Sequence, residues 1–140
     1  MIGKTLSSFR KRRGVTQAAL ALKMSVSRSR VKNIELSSNL SLMIIKRYFQ
    51  ACGYSLCIAV FDRDQKHLYS FDLSLVIDKL RDMRKTANLT QSELGVQMKV
   101  SRSRIEQIEN GTSDVNIRTV YRYAMACGLL INLDVKALEE

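Results

Sequence analysis

The side chains best able to do chemistry in this chain come in two matching sets. Arg28, Ser29, Arg30, Lys32 and Asn33 form one cluster, and Arg102, Ser103, Arg104, Glu106 and Gln107 form the other. A guanidinium presents parallel N–H donors, and a carboxamide sets a donor beside an acceptor. Such groups recognise anions and hydrogen-bonding edges; they do not break bonds unaided. Residues for catalysis are not evident. His67 is the single histidine, and no second His or Cys pair stands at zinc-ligand spacing. No Ser-His-Asp set, Gly-rich phosphate loop or nucleophile with its base can be read. The expectation is a non-enzymatic protein with no metal and no cofactor.

Charge points the same way. The 140 residues carry 23 Lys and Arg against 13 Asp and Glu, a formal charge of +10. Residues 1–70 hold 13 basic and 3 acidic side chains, and residues 71–140 hold 10 of each, so the whole excess lies in the first half. That asymmetry suggests a polyanion partner, nucleic acid or an anionic surface. With 46% apolar and 26% charged residues the chain is an ordinary globular one. No apolar run approaches the ~20 residues of a membrane helix. Met1-Ile2-Gly3-Lys4-Thr5 does not read as a secretion signal. Cys52, Cys57 and Cys127 are sparse and odd in number, as expected of reduced thiols, so a cytoplasmic location is expected.

The two clusters belong to an internal repeat. Residues 6–35 align on 80–109 at an offset of 74 with 14 identities in 30 positions. The match resumes at an offset of 75, where Arg47-Tyr48 meets Arg122-Tyr123 and Ala51-Cys52-Gly53 meets Ala126-Cys127-Gly128. Each repeat spans roughly sixty residues and divides into four helices and a strand. In the first repeat Ile2, Leu6 and Phe9 give helix 1 its apolar face. Thr16, Ser27 and Ser41 are N-caps for the next three helices, and Gly53 ends the fourth. Tyr54–Phe61 is rich in β-formers. In the second repeat Asp72 or Ser74, Thr90, Ser101 and Asn116 are the caps, and a strand follows Gly128. The polar stretch 62–67 reads as a turn or linker, after which Leu68, Tyr69 and Phe71 could form a short strand. The domain reading is a first unit at 1–61, a linker at 62–71 and a second unit at 72–140.

The pattern Thr-Gln-x-x-Leu…Val-Ser-Arg-Ser-Arg-(Val/Ile)-x-x-Ile-Glu resembles the helix-turn-helix of the Xre/Cro/phage-repressor family. It occurs twice. The second copy continues as Glu109-Asn110-Gly111, a common family ending, whereas the first has Leu36-Ser37-Ser38. The resemblance implies a mainly α fold: two tandem lambda-repressor-like units, each followed by a strand, with the strands paired into a small antiparallel sheet. It also implies sequence-specific binding of double-stranded DNA through the major groove, as a transcriptional regulator and most simply a repressor. The strand after the fourth helix is similar to the HipB-like antitoxin branch, which makes an antitoxin that binds a toxin protein and represses its own operon the alternative.

The resemblance assigns roles residue by residue. Helix 3 of each unit enters the groove with its N-terminal residues toward base edges. Those are Ser27, Arg28, Ser29, Lys32 and Asn33 in one unit and Ser101, Arg102, Ser103, Glu106 and Gln107 in the other. Arg suits guanine, and Asn or Gln suits adenine. Gln17 and Gln91 begin helix 2, where a helix N-terminus favours phosphate; plain capping is the other reading. Thr16 and Thr90 beside them, Lys11 and Lys85, and Arg30 and Arg104 complete the expected phosphate contacts. Arg10 with Glu35, and Arg84 with Glu109, are expected structural ion pairs. Cys52 and Cys127 are expected to pack as small apolar groups, and Tyr48, Tyr121 and Tyr123 as core or packing residues.

An open sheet edge must be managed. Pairing of the strands at 55–61 and 130–135 within one chain would make it a pseudo-dimer; pairing between chains would make a homodimer. Both repeats keep the motif cations, but the first adds Arg12, Arg13 and Lys32, and the second adds Asp78, Asp82, Glu93 and Glu106. The first unit is therefore expected to supply most of the salt-sensitive affinity.

Overall fold

The computed structural model describes residues 1–111 and 114–138. Its contacts divide the chain into two compact units, Met1–Leu56 with Val135–Glu140, and Cys57–Asp134. Unit 1 contains α1 (Ile2–Arg12), α2 (Gln17–Met24), α3 (Arg28–Glu35) and α4 (Leu42–Ala51). Unit 2 contains β2 (His67–Asp72), a 3₁₀ turn at Leu73–Leu75, α5 (Val76–Thr86), α6 (Gln91–Met98), α7 (Arg102–Asn110) and α8 (Ile117–Ala126). Strands β1 (Tyr54–Phe61) and β3 (Leu130–Ala137) have residues in both units. The three antiparallel strands make an open sheet in the order β2-β1-β3. None of the described helices is long and apolar enough to cross a membrane.

Local chemistry explains the helix boundaries. The hydroxyls of Thr16, Ser27 and Ser41 accept from the amides of Ala19, Arg30 and Ile44 at 3.0, 3.0 and 3.2 Å. Thr90 and Glu93 form a reciprocal capping box, and Ser101 accepts from the Arg104 amide at 3.1 Å. Asp72, not Ser74, is the cap of the 3₁₀ turn, accepting from the Ser74 amide at 2.9 Å. Asn116 stands at the N-cap of α8, but its side chain makes no capping hydrogen bond.

Inside unit 1, α3 packs on α1 and α2, and α4 closes over both of them. Leu6, Leu20, Val31, Ile45, Tyr48 and Phe49 are fully buried between them. Unit 2 repeats the arrangement: α7 packs on α5 and α6, and α8 covers those two. Leu80, Leu94, Ile105, Val120, Tyr123 and Ala124 form its core. These are alignment partners of the unit 1 core, so one pattern of apolar spacing builds both.

The stretch 62–71 is a tight turn followed by the short strand that Leu68, Tyr69 and Phe71 suggest, here β2, so it is a hairpin and not a linker. Asp62 closes the turn, with its amide donating to the Lys66 carbonyl and its Oδ1 accepting from the amides of Asp64 and Lys66. Residues after it pair back onto β1, Ile58 opposite Phe71 and Val60 opposite Tyr69, with an irregularity between Val60 and Phe61. The compact units accordingly do not follow the division into 1–61 and 72–140. The hairpin takes Cys57–Phe61 into unit 2. After β3 the chain returns to unit 1, where the Leu138 amide donates to the Gly53 carbonyl at 2.9 Å.

One glycine fixes how α1 meets α3. The Gly3 amide donates to the Ser37 carbonyl at 3.0 Å. A Cβ at Gly3 would stand 2.2 Å from the Glu35 carbonyl oxygen and 2.9 Å from that of Ser37. Both obstacles are backbone and cannot rotate away. Gly3→Ala should therefore destabilise unit 1 by about 1–3 kcal/mol, the usual cost of overpacking, read as a lower urea midpoint with an unchanged slope.

Candidate nucleic-acid interface

Each helix-turn-helix is closed by the same short turn. Ser25 ends α2 in the left-handed region (φ 57°), and the Val26 amide donates back to the Ala21 carbonyl at 3.0 Å. Ser27 is extended and caps α3. In unit 2, Lys99 (φ 58°), Val100 and Ser101 do the same, with Val100 donating to Gly95 at 2.9 Å. The left-handed residue redirects the chain, and the capping serine starts the next helix at once. Arg47 adds a tether from α4 to the end of α2, donating to the Met24 carbonyl at 3.1 Å. Arg122 donates to Met98 in the equivalent place.

The turn presents a polar surface. Ser27, Arg28, Ser29, Arg30, Lys32 and Asn33 are all exposed, while Val31, Ile34 and Glu35 on the opposite side are buried. In unit 2, Ser101, Arg102, Ser103, Glu106 and Gln107 are exposed, Arg104 is half-buried, and Ile105, Ile108 and Glu109 are buried. Lys11, Lys85, Thr16 and Thr90 are exposed, and Gln17 and Gln91 half-buried. Within each unit the structure thus brings the motif's cations and amides to the surface of three consecutive helices.

A buried network behind that surface holds α3 in place. Arg10 donates from Nε and Nη2 to Glu35 Oε2 and Oε1 at 2.7 and 2.9 Å, and from Nη1 to the Val15 carbonyl at 2.9 Å. Tyr48 donates its hydroxyl to Glu35 Oε2 at 2.6 Å, and Gln17 donates its amide to Oε1 at 3.0 Å. One carboxylate thereby joins α1, α2, α3 and α4. Unit 2 repeats it: Arg84 reaches Glu109 at 2.7 and 2.9 Å, with Tyr123 at 2.7 Å and Gln91 at 3.3 Å. Arg84 Nη1 donates to the Leu89 carbonyl at 3.0 Å, and Arg81 adds a bond to the Glu109 carbonyl.

Two features of this network were not read from the sequence. Tyr48 and Tyr123 are ligands of the carboxylates as well as core rings; their equivalence in the repeat, beside Arg47 and Arg122, was the available signal. Gln17 and Gln91 direct an N–H inward to the glutamates as well as standing at a helix N-terminus. The Thr16 and Thr90 hydroxyls are engaged as caps. Tyr121, by contrast, is exposed.

The electrostatics follow from burial and partners. Burial pushes the Glu35 and Glu109 carboxyls upward, but the hydrogen bonds from Arg, Tyr and Gln outweigh it and hold both below the ordinary value. Burial, then the adjacent carboxylate, raises the Tyr48 and Tyr123 phenols far above theirs. Burial also pushes the Cys52 and Cys127 thiols up to about 11, so both are protonated and weakly nucleophilic at neutral pH. Among the described residues no group of three or more His, Cys, Asp or Glu could hold a metal ion.

A carboxyl lowered on folding contributes stability above its ordinary value of about 4.3, and that contribution is lost as pH falls below it. Stability should therefore decline from about pH 4.3 downward as Glu35 and Glu109 take up protons, measured by urea midpoints across pH. Glu35→Gln should flatten part of that decline and cost ~3–5 kcal/mol at pH 7, because it strands the Arg10 charge. Tyr48→Phe should cost less, about 1–3 kcal/mol, since it removes one donor and leaves the ion pair.

A family model described as Helix-turn-helix matches residues 6–58 and again residues 80–132. No curated protein and no solved structure matches the chain. The two matched segments cover most of the sequence and coincide with the two sets of α-helices just described. The chain therefore belongs to the Xre/Cro-type helix-turn-helix family of DNA-binding transcriptional regulators, with two such units in tandem.

Proposed function

We propose that this protein is a repressor that reads the two halves of one operator with α3 and α7 of a single chain, as a pseudo-dimer. The observation that carries the reading is the pairing of two cap-and-turn motifs, each with its polar N-terminal turn exposed and its glutamate locked from behind. Pairing of β1 with β3 within the chain fits this reading. Arg28 and Arg102 donate to guanine; Ser27, Ser29 and Asn33, and Ser101, Ser103 and Gln107, contact the neighbouring edges. Lys32 and Glu106, at equivalent positions, give the halves opposite charge preferences. Lys11, Arg30, Lys85 and Arg104, with the start of α2 and α6 at Thr16, Gln17, Thr90 and Gln91, hold phosphates.

The units are unequal. In unit 2 Glu93 occupies the first turn of α6 and accepts from the Thr90 amide at 3.0 Å, so a carboxylate and an occupied donor stand where unit 1 has Ala19 and no such bond. A negative charge there opposes phosphate approach. Unit 1 accordingly carries the larger share of the backbone affinity, and unit 2 contributes through selectivity.

Three outcomes test the reading. Footprinting and site selection should return an imperfect inverted repeat with half-sites about 10 bp apart; a perfect palindrome would contradict one chain spanning both halves. Arg28→Ala should cost ~1–3 kcal/mol and relax preference at one position of one half-site only, measured by competition binding. Arg30→Ala should lower the salt slope by about 1 without changing sequence preference, and Arg104→Ala should lower it less.

A further inference from the structure

The two units share a frame but differ at one surface. In unit 1 the space beside α1, the end of α4 and the start of β1 is filled by rings. Phe9 meets Phe49 and Tyr54 edge-on with centroids 5.4 and 5.3 Å apart, and Phe49 meets Tyr54 at 6.1 Å. Two guanidiniums close over them: Arg12 lies 4.8 Å from the Phe9 centroid and Arg13 5.4 Å from that of Tyr54. The repeat alignment places Met83, Ala124 and Leu129 where unit 1 has the three rings, and Thr86 and Ala87 where it has the two arginines. None of the five replacements restores a ring or a cation.

Unit 2 has a cleft at this place of about 280 Å³, lined by Met83, Thr86 and Leu129 together with Leu68, Tyr69, Lys79 and Asp82. Leu68 is 45% exposed, an apolar wall left in solvent. Asp82 stands where unit 1 has Ser8. Among the described residues it forms no salt bridge; the Lys79 ammonium lies instead over the Tyr69 ring, 5.6 Å from its centroid. Burial and then the Asp82 charge raise the Tyr69 phenol, which places that carboxylate's field on the cleft wall.

We infer that this cleft is a binding site for a small molecule made of an aromatic ring bearing a cationic amine. The ring takes the apolar space between Met83, Leu129 and Tyr69, where thioether–ring and ring–ring contacts are favourable. The ammonium pairs with Asp82. The ligand ring thus takes the place that Phe9 and Tyr54 fill in unit 1 from the chain itself. The volume of about 280 Å³ lies just below the ~300–1,000 Å³ range of ligand pockets, which limits the ligand to one or two fused rings.

The test is a titration of the full-length, isotope-labelled protein with tryptamine, with uncharged indole and anionic indole-3-acetate as comparators. Tryptamine should give saturable amide shifts at Leu68, Tyr69, Lys79, Asp82 and Leu129. It should bind about two- to fivefold more tightly than indole, the worth of one exposed ion pair, with indole-3-acetate weakest. Asp82→Asn should erase the advantage of tryptamine over indole. Leu129→Tyr, which refills the space as unit 1 does, should abolish binding of both, and Met83→Phe provides a second filling variant if the first fails to fold. The inference is overturned if no compound gives saturable shifts at these residues, if indole-3-acetate equals or exceeds tryptamine, or if binding survives a folded filling variant.

Discussion

A carboxylate buried at the junction of four helices governs each half of this molecule. Glu35 and Glu109 would be costly inside a protein if left alone, because water no longer solvates the charge. Arginine on the first helix, glutamine on the second and tyrosine on the fourth each donate to it. Because the donors come from three other helices, the arrangement specifies how the four helices dock as well as holding them. It also sets the direction of α3 and α7: with the glutamate turned inward, the residues before it on the opposite side face solvent. The DNA-facing chemistry of the family depends on that orientation, and Gln17 and Gln91 link the network to that surface.

The repeat separates a shared frame from a divergent surface. The network, the cap-and-turn and the apolar spacing are nearly the same in both units. The exposed positions diverge: Lys32 against Glu106, Ala19 against Glu93, and the arginines around Phe9 and Tyr54 against Thr86 and Ala87. Surface substitutions of this kind alter stability little, since they neither empty the core nor strand a buried charge. They do alter field and shape. A two-chain dimer of identical subunits must change both readers together, whereas a tandem chain can tune one and leave the other.

Much of the fold was legible in the sequence because its signals are local. Thr16, Ser27, Ser41, Thr90 and Ser101 each cap a helix by bonding an amide three residues ahead. Asn116 shows the limit of that logic: the residue type suits the position, yet its side chain makes no such bond. The 62–71 stretch shows another. The polar run 62–67 and the apolar residues after it suggest a turn and a short strand, but only the structure shows that the strand pairs back onto β1.

The sequence by itself determined the repeat, the helix starts, the paired Arg and Glu at a spacing of 25, and the location of the charge excess. Each of these is written in neighbouring residues or in a recurring interval. Tertiary structure decided that Tyr48 and Tyr123 complete the carboxylate shell, that Gln17 and Gln91 direct an N–H inward, and that the unit boundary runs through β1 and β3. It also decided that a cleft opens in unit 2 beside Met83 and Leu129, where the repeat has Phe9 and Tyr54 in unit 1. These outcomes depend on which distant groups arrive at one point in space. A hydrogen-bond donor or a missing ring acquires meaning only from the partners that the folded chain brings to it.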